Sequence, residues 1–181
     1  MTRPTRNWLI VALLIAGAFT LGPRLPDAVT WVAPLVAAPL IGLALWVTAP
    51  FHRARSLLAR RSFDEAATEL AAFEKALTES KWKRALASLA VGLHTTQPLA
   101  AARNTLGAVR LEQGRLDDAR THFMAALQHD PGYGVPWGNL AVLAAMKGDR
   151  AAADAARRKA AERGFSPRLL SRVLEDKLAG R

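Results

Sequence analysis

The chain has 181 residues, with 25 Lys and Arg against 15 Asp and Glu, a formal net charge of +10. It contains no cysteine, which excludes disulfides, thiolate metal sites and a cysteine nucleophile. The charge is unevenly spread: residues 1–50 carry only Arg3, Arg6, Arg24 and Asp27, whereas 51–181 carry 22 basic and 14 acidic side chains. That split predicts a membrane-embedded part followed by a water-facing part of ordinary domain size.

Residues 8–21, WLIVALLIAGAFTL, form an uncharged apolar run. As helix it reaches about 21 Å, short of the roughly 30 Å hydrocarbon core. Extension through Asn7 and residues 22–25, with Arg24 snorkelling to the interface, gives a first span over about 7–25. A cleaved signal peptide is the competing reading, with Arg3 and Arg6 as its basic start and Ala16-Gly17-Ala18 as a small-residue cleavage site. Residues 28–49 form a second span, uncharged, with Trp31 and Trp46 placed for the two headgroup boundaries. Pro34 and Pro39 would kink it or delay regular helix. The short connector 22–27 makes the two spans a hairpin. Ala12/Ala16, Ala33/Ala37 and Ala38/Gly42 are small-residue pairs of the kind that let helices approach in lipid, a weak signal in an alanine-rich chain. Basic residues flank both ends of the hairpin, so the positive-inside rule places the C-terminal part in the cytoplasm, at the inner membrane of a bacterium.

Residues 51–61, FHRARSLLARR, read as a basic juxtamembrane linker. Arg53, Arg55, Arg60 and Arg61 either contact anionic lipid headgroups, at about 1 kcal/mol each, or only set topology. Nucleic acid is a poor partner for them, because no aromatic platform or recognised motif accompanies the charge.

The water-facing part, 62–181, reads as helices throughout. Ser62 and Glu65 form a capping-box pattern, predicting a helix from Phe63 with Ala66, Ala67, Leu70, Phe73, Ala76 and Leu77 as its apolar stripe. A second helix follows over 82–94, with Ala85, Leu86, Leu89 and Leu93 inward. Residues 106–131 then encode two short helices. The first ends at Gly114, and the second runs from about Leu116 to Asp130, with Pro131 unable to continue it. Gly107 and Ala119 would let the backbones approach, Phe123 would fill the space between them, and Ala126 is small where a further pair would stack.

These residues, Leu106, Gly107, Gly114, Ala119, Phe123, Ala126 and Pro131, resemble the tetratricopeptide repeat (TPR), a 34-residue helix–turn–helix unit. Arg103 and Arg110 depart from it, standing where an aromatic is usual. Trp137, Leu140, Ala141, Gly148, Ala153 and Ala160 continue the pattern 34 residues on, with Arg157 in the place of Phe123. Ala85, Leu89 and Gly92 continue it one repeat earlier. Together with the two apolar spans, the resemblance implies an all-α protein: two transmembrane helices, then a TPR-like α-solenoid of about three helix pairs (66–99, 100–133 and 134–167). Ser166-Pro167 would open a C-terminal capping helix over 167–178, its buried face lined by Leu169, Leu170, Val173, Leu174 and Leu178.

No catalytic constellation is legible, so an enzyme is not expected, nor a cofactor. His122 and His129 share a helix face with Asp118, but a metal site would need a convincing third ligand. Asp117-Asp118 falls in a first helical turn, where the dipole favours it. The resemblance implies instead a concave groove for a protein partner. Ala101, Asn104, Ala108 and Leu111 of one helix and Val135, Gly138, Asn139, Val142 and Ala145 of another would line it, the two asparagines hydrogen-bonding a peptide backbone. The chain's own first or last helix, or a second copy in a homo-oligomer, would be alternative occupants. The expected function is a membrane-anchored adaptor or scaffold that binds a protein at the cytoplasmic face. The alternative is a structural or assembly subunit of a larger membrane complex.

Overall fold

A computed structural model describes the backbone of residues 27–90 and 95–166 and the side chains of residues 38–88 and 95–166. Among these residues the protein is all-α, with seven helices: α1 (Asp27–Ala59), α2 (Phe63–Glu79), α3 (Lys81–Ala90), α4 (Pro98–Glu112), α5 (Leu116–His129), α6 (Gly134–Met146) and α7 (Arg150–Glu162). They pack in sequential pairs, the end of α1 with α2, α4 with α5 and α6 with α7.

Each pair closes through the same hairpin. A residue with positive φ follows the first helix: Arg61 at 63°, Gly114 at 74° and Gly148 at 79°. The next amide then reaches back five residues, Ser62 N–H to the Leu57 carbonyl, Arg115 to Arg110 and Asp149 to Ala144, at 2.9–3.0 Å. This is the Schellman closure, which satisfies carbonyls that the helix end leaves free. Seven residues before each left-handed position stands a buried small residue, Ala54, Gly107 or Ala141. Five after it stands a buried alanine, Ala66, Ala119 or Ala153. Small residues on both helices allow the close approach, which in the middle pair Phe123 completes by lying against Gly107.

The first pair differs from the expected register. Gly114 and Gly148 lie 34 residues apart, but Arg61 and Gly114 lie 53 apart. The surplus of 19 is α3 with its connections. So α2 is the second member of a pair whose first member is the end of α1, and it has only slight contact with α3. The 34-residue offsets to Ala85, Leu89 and Gly92 arise in a chain where alanine and leucine are common, and the structure uses a different pairing. Likewise, residues 51–59 are the last turns of α1 instead of a separate linker. Phe51 and Ala54 are buried there, in a cluster with Leu70, Phe73 and Leu77 of α2.

That cluster extends to Ala101, Leu106 and Val109 of α4, and a second one joins Leu111, Phe123, Leu127, Leu140, Val142 and Ala156. The two arginines in the usual aromatic positions reach back to α2. Arg103 pairs with Glu74, and Arg110 donates to Gln113 at 2.9 Å, which in turn donates to Asp64 at 3.0 Å. Polar bonds thus tie the first pair to the second where ring packing would otherwise do so. Thr95 adds a buried tie, donating to Asp130 at 2.6 Å.

α2 begins at Phe63 as the sequence predicts, but Ser62 makes no side-chain cap bond. Side chains that do cap are Asp149, accepting from the Ala152 N–H at 2.9 Å, and Ser80, accepting from the Lys83 N–H at 3.5 Å.

Among the described residues no helix is long and apolar enough to cross a membrane. The expected span over 7–25 and the capping helix over 167–178 lie outside the described residues. The expected span over 28–49 is helical throughout, but its side chains are described only from Ala38 onward. From there α1 exposes Leu40, Ile41, Leu43, Leu45 and Trp46.

Candidate functional site

The residues expected to line the groove come together along α4 and α6, but mostly inside the fold. Ala101 is buried against α2, while Leu111 and Val142 belong to the cluster of the last two pairs. Gly138 is covered by Phe165: a Cβ there would lie 2.8 Å from the ring. Asn104 is buried, and its carbonyl oxygen accepts from the Asn139 side chain at 2.9 Å. The two asparagines therefore satisfy each other across adjacent pairs, which leaves Asn139 as the half-buried one with spare bonding capacity. Ala108, Val135 and Ala145 are also half-buried.

A more open feature lies between α5, α6 and α7, a cleft of about 380 Å³. Leu140, Leu143 and Ala144 of α6 form its floor and Met124 of α5 one wall. The opposite wall is Ala152, Ala155 and Ala156, which share one face of α7 through helical periodicity. The three alanines leave space along that face, which Lys159 continues one turn on. Met124 is 43% exposed, an uncommon position for a large apolar side chain beside a concave surface.

The rim is mainly basic. Arg120, Lys147 and Lys159 surround the apolar floor, with Asp149 already engaged as a cap. Lys147 donates to Asp117 at 2.6 Å, and this bond and charge hold the Asp117 carboxyl below its ordinary value. Trp137 stands at one end. The Lys159 ammonium lies 4.3 Å from its ring centroid and the Arg163 guanidinium 5.6 Å, so two cations stand within cation–π range of one indole. The indole N–H is buried and has no acceptor among the described residues. Such a lining offers an apolar seat with cationic edges.

His122 lies elsewhere, half-buried on α5 near Arg103 and Arg110 of α4. Burial, then the charges of Arg103 and Arg110, push its imidazole below the ordinary range. Among the described residues no three ligand-type side chains converge as a metal site would need.

Of the four arginines expected at lipid headgroups, Arg53 donates two hydrogen bonds to Glu69 at 3.0 and 3.1 Å, and Arg61 lies over the Phe63 ring. Arg55 and Arg60 are exposed. Sequence reasoning missed the cleft and the packing of α3 along α1. The alanine face of α7 was a legible signal for the cleft, but which helix it would face was not.

The chain matches no protein-family model and no curated protein.

Proposed function

We propose that this chain is a membrane-anchored adaptor of TPR-like repeats, which binds a protein partner at the cytoplasmic face of the inner membrane. The repeat reading is supported by the 34-residue spacing of Gly114 and Gly148 and by the recurrent small residues at the helix contacts. The anchor reading is supported by the exposed apolar side chains from Leu40 to Trp46 and by the uncharged sequence that precedes them.

The observation that carries the binding function is the open cleft between α5, α6 and α7. An apolar seat with basic edges suits a segment that presents a leucine- or phenylalanine-sized anchor flanked by acidic residues. Binding there needs no turnover, and affinity would rest mainly on the anchor that fills the seat.

Site-specific photocrosslinking tests this reading. A photoreactive residue in place of Met124, in the full chain in its own membrane, is expected to give discrete protein adducts. Ala155→Trp, which fills the seat, should abolish them. A photoreactive residue replacing Thr78, exposed at the end of α2, serves as control. Adducts that are absent at 124, or that persist unchanged in the Ala155→Trp chain, would overturn the cleft as the partner site.

A further inference from the structure

The helix α3 belongs to no pair, yet it packs along α1. Its inner face, through Ala87 with Leu86 packed beside it, joins the buried cluster that holds Val47 and Phe51. Its outer face leaves Trp82 50% exposed and Lys81 and Ala85 exposed. Lys83 lies between two indoles, 5.7 Å from the ring of Trp46 and 5.7 Å from that of Trp82. Trp46 is itself 62% exposed and is the last of the large exposed apolar residues on α1. On its N-terminal side the exposed side chains are Leu40, Ile41, Leu43 and Leu45. On its C-terminal side they are His52, Arg53 and Arg55. The change from apolar to charged exposure therefore falls at the level where Trp46, Lys83 and Trp82 gather.

We propose that α3 is a membrane-surface element, whose Trp82, Lys81 and Lys83 sit beside Trp46 at the headgroup boundary of an anionic bilayer. Indoles favour that boundary because the ring is apolar and its N–H wants a polar partner. Lysine ammoniums favour it through attraction to anionic headgroups. α3 contains no acidic residue to oppose this. Of its three basic residues, Arg84 is engaged, donating to the Leu77 carbonyl at 3.0 Å and so closing the end of α2. Lys81 and Lys83 remain for the lipid. Of the four arginines expected at headgroups, Arg53 is paired with Glu69 and Arg61 lies over Phe63, while Arg55 and Arg60 are exposed further along the chain from Trp46. The 19 additional residues would then fix the orientation of the helical pairs against the membrane. A single span would leave them free to swivel.

This inference rests on the membrane-anchor reading, and the experiment separates the two. The chain has no cysteine, so a single nitroxide label can be attached at Ala85→Cys, on the outer face of α3, or at Ile41→Cys. Each full-length labelled chain is reconstituted in vesicles of phosphatidylcholine and phosphatidylglycerol. Collisions with oxygen, which partitions into lipid, are compared with collisions with a water-soluble nickel chelate. The expected result is a deep, oxygen-favoured position for 41 and a headgroup-depth position for 85. With Trp82→Ser and Lys83→Ser together, the label at 85 should shift to nickel-favoured collisions while that at 41 stays deep. A deep label at 41 with an aqueous label at 85 in the otherwise unchanged chain overturns the role of α3 and leaves the anchor standing. Aqueous labels at both overturn the anchor as well. A label at 85 shielded from both reagents means that protein covers α3, and overturns the lipid assignment.

Discussion

Gly107 of α4 lies directly against the ring of Phe123 of α5, so that a Cβ built at 107 would come within 2.6 Å of two ring carbons. Real side chains do not approach so closely, and Phe123 is fully buried, so its ring would have to shift within the core.

Gly107→Ala sets two effects against each other. Alanine in a helix interior gains about 1 kcal/mol over glycine. Overpacking a filled core costs about 1–3 kcal/mol. The contact distance decides for the second, and a net loss of about 1–2 kcal/mol is expected. Phe123→Leu should relieve it, so the double variant should lose less than the sum of the single ones. Denaturant unfolding of the full chain in detergent micelles measures all three. A neutral or stabilised Gly107→Ala would show that the helices separate easily here.

Gly114→Ala isolates a backbone effect. A Cβ at 114 meets nothing within 4 Å, yet φ is +74°. The expected loss is about 1–2 kcal/mol, the cost of a left-handed non-glycine residue. Arg61 already bears that cost at φ 63°. Arg61→Gly should therefore stabilise, by about 1 kcal/mol or less, because the exposed cation–π contact with Phe63 is lost at the same time. Opposite signs at two equivalent turns, read by thermal unfolding, are the expected pattern.

Two titratable groups, one half-buried and one buried, predict opposite pH dependences. For His122, whose folded value is depressed, the unfolded imidazole takes its proton first as the pH falls below 6.5. Stability is thus fully present above that pH and is lost on going down towards the folded value. His122→Leu should flatten the decline in melting temperature between about pH 7 and 5. Tyr133, the sole tyrosine, is buried, and this pushes its phenol from 10.0 up to about 12. Between those values the unfolded state has released its proton and the folded state has not, so stability falls as the pH rises. The tyrosinate absorbance of the native chain should have its midpoint near 12. A midpoint near 10 would mean that Tyr133 reaches water.

The side of the membrane is open to direct labelling. Asp117 has a side chain that is 91% exposed, and its bond to Lys147 lies at the surface. Asp117→Cys therefore provides a single accessible thiol. An impermeant maleimide is expected to label it only after cells are permeabilised. Labelling in intact cells would reverse the proposed orientation and send the search for a partner to the other side.

Much of the helical pattern was legible because the punctuation is local. Gly114, Gly148 and Pro131 mark helix ends whose reason lies in a single residue's backbone, and the structure ends helices beside each. The contact of Gly107 with Phe123 was equally readable, since a glycine in a helix interior matched to a large ring in the next helix signals close approach. The hairpin at Arg61 was not readable. Arginine carries no left-handed preference, so the turn there is imposed by the burial of Phe51 and Ala54 against Leu70 and Phe73. The expected groove residues lie on two neighbouring helices, but their spacing could not show that Asn104 and Asn139 bond each other or that Phe165 covers Gly138.

The sequence by itself determined the helical character, the helix ends marked by Gly114, Gly148 and Pro131, and the division between an apolar N-terminal stretch and a charged remainder. Periodicity, glycine, proline and charge act over a turn or two of chain. Only the tertiary structure decided which helices pair, because alanine-rich faces are interchangeable locally and differ only in what packs against them. It placed α2 with the end of α1, set α3 aside along α1 and left the cleft open beside Trp137. Each of these depends on the fit of side chains distant in sequence, which no window along the chain contains.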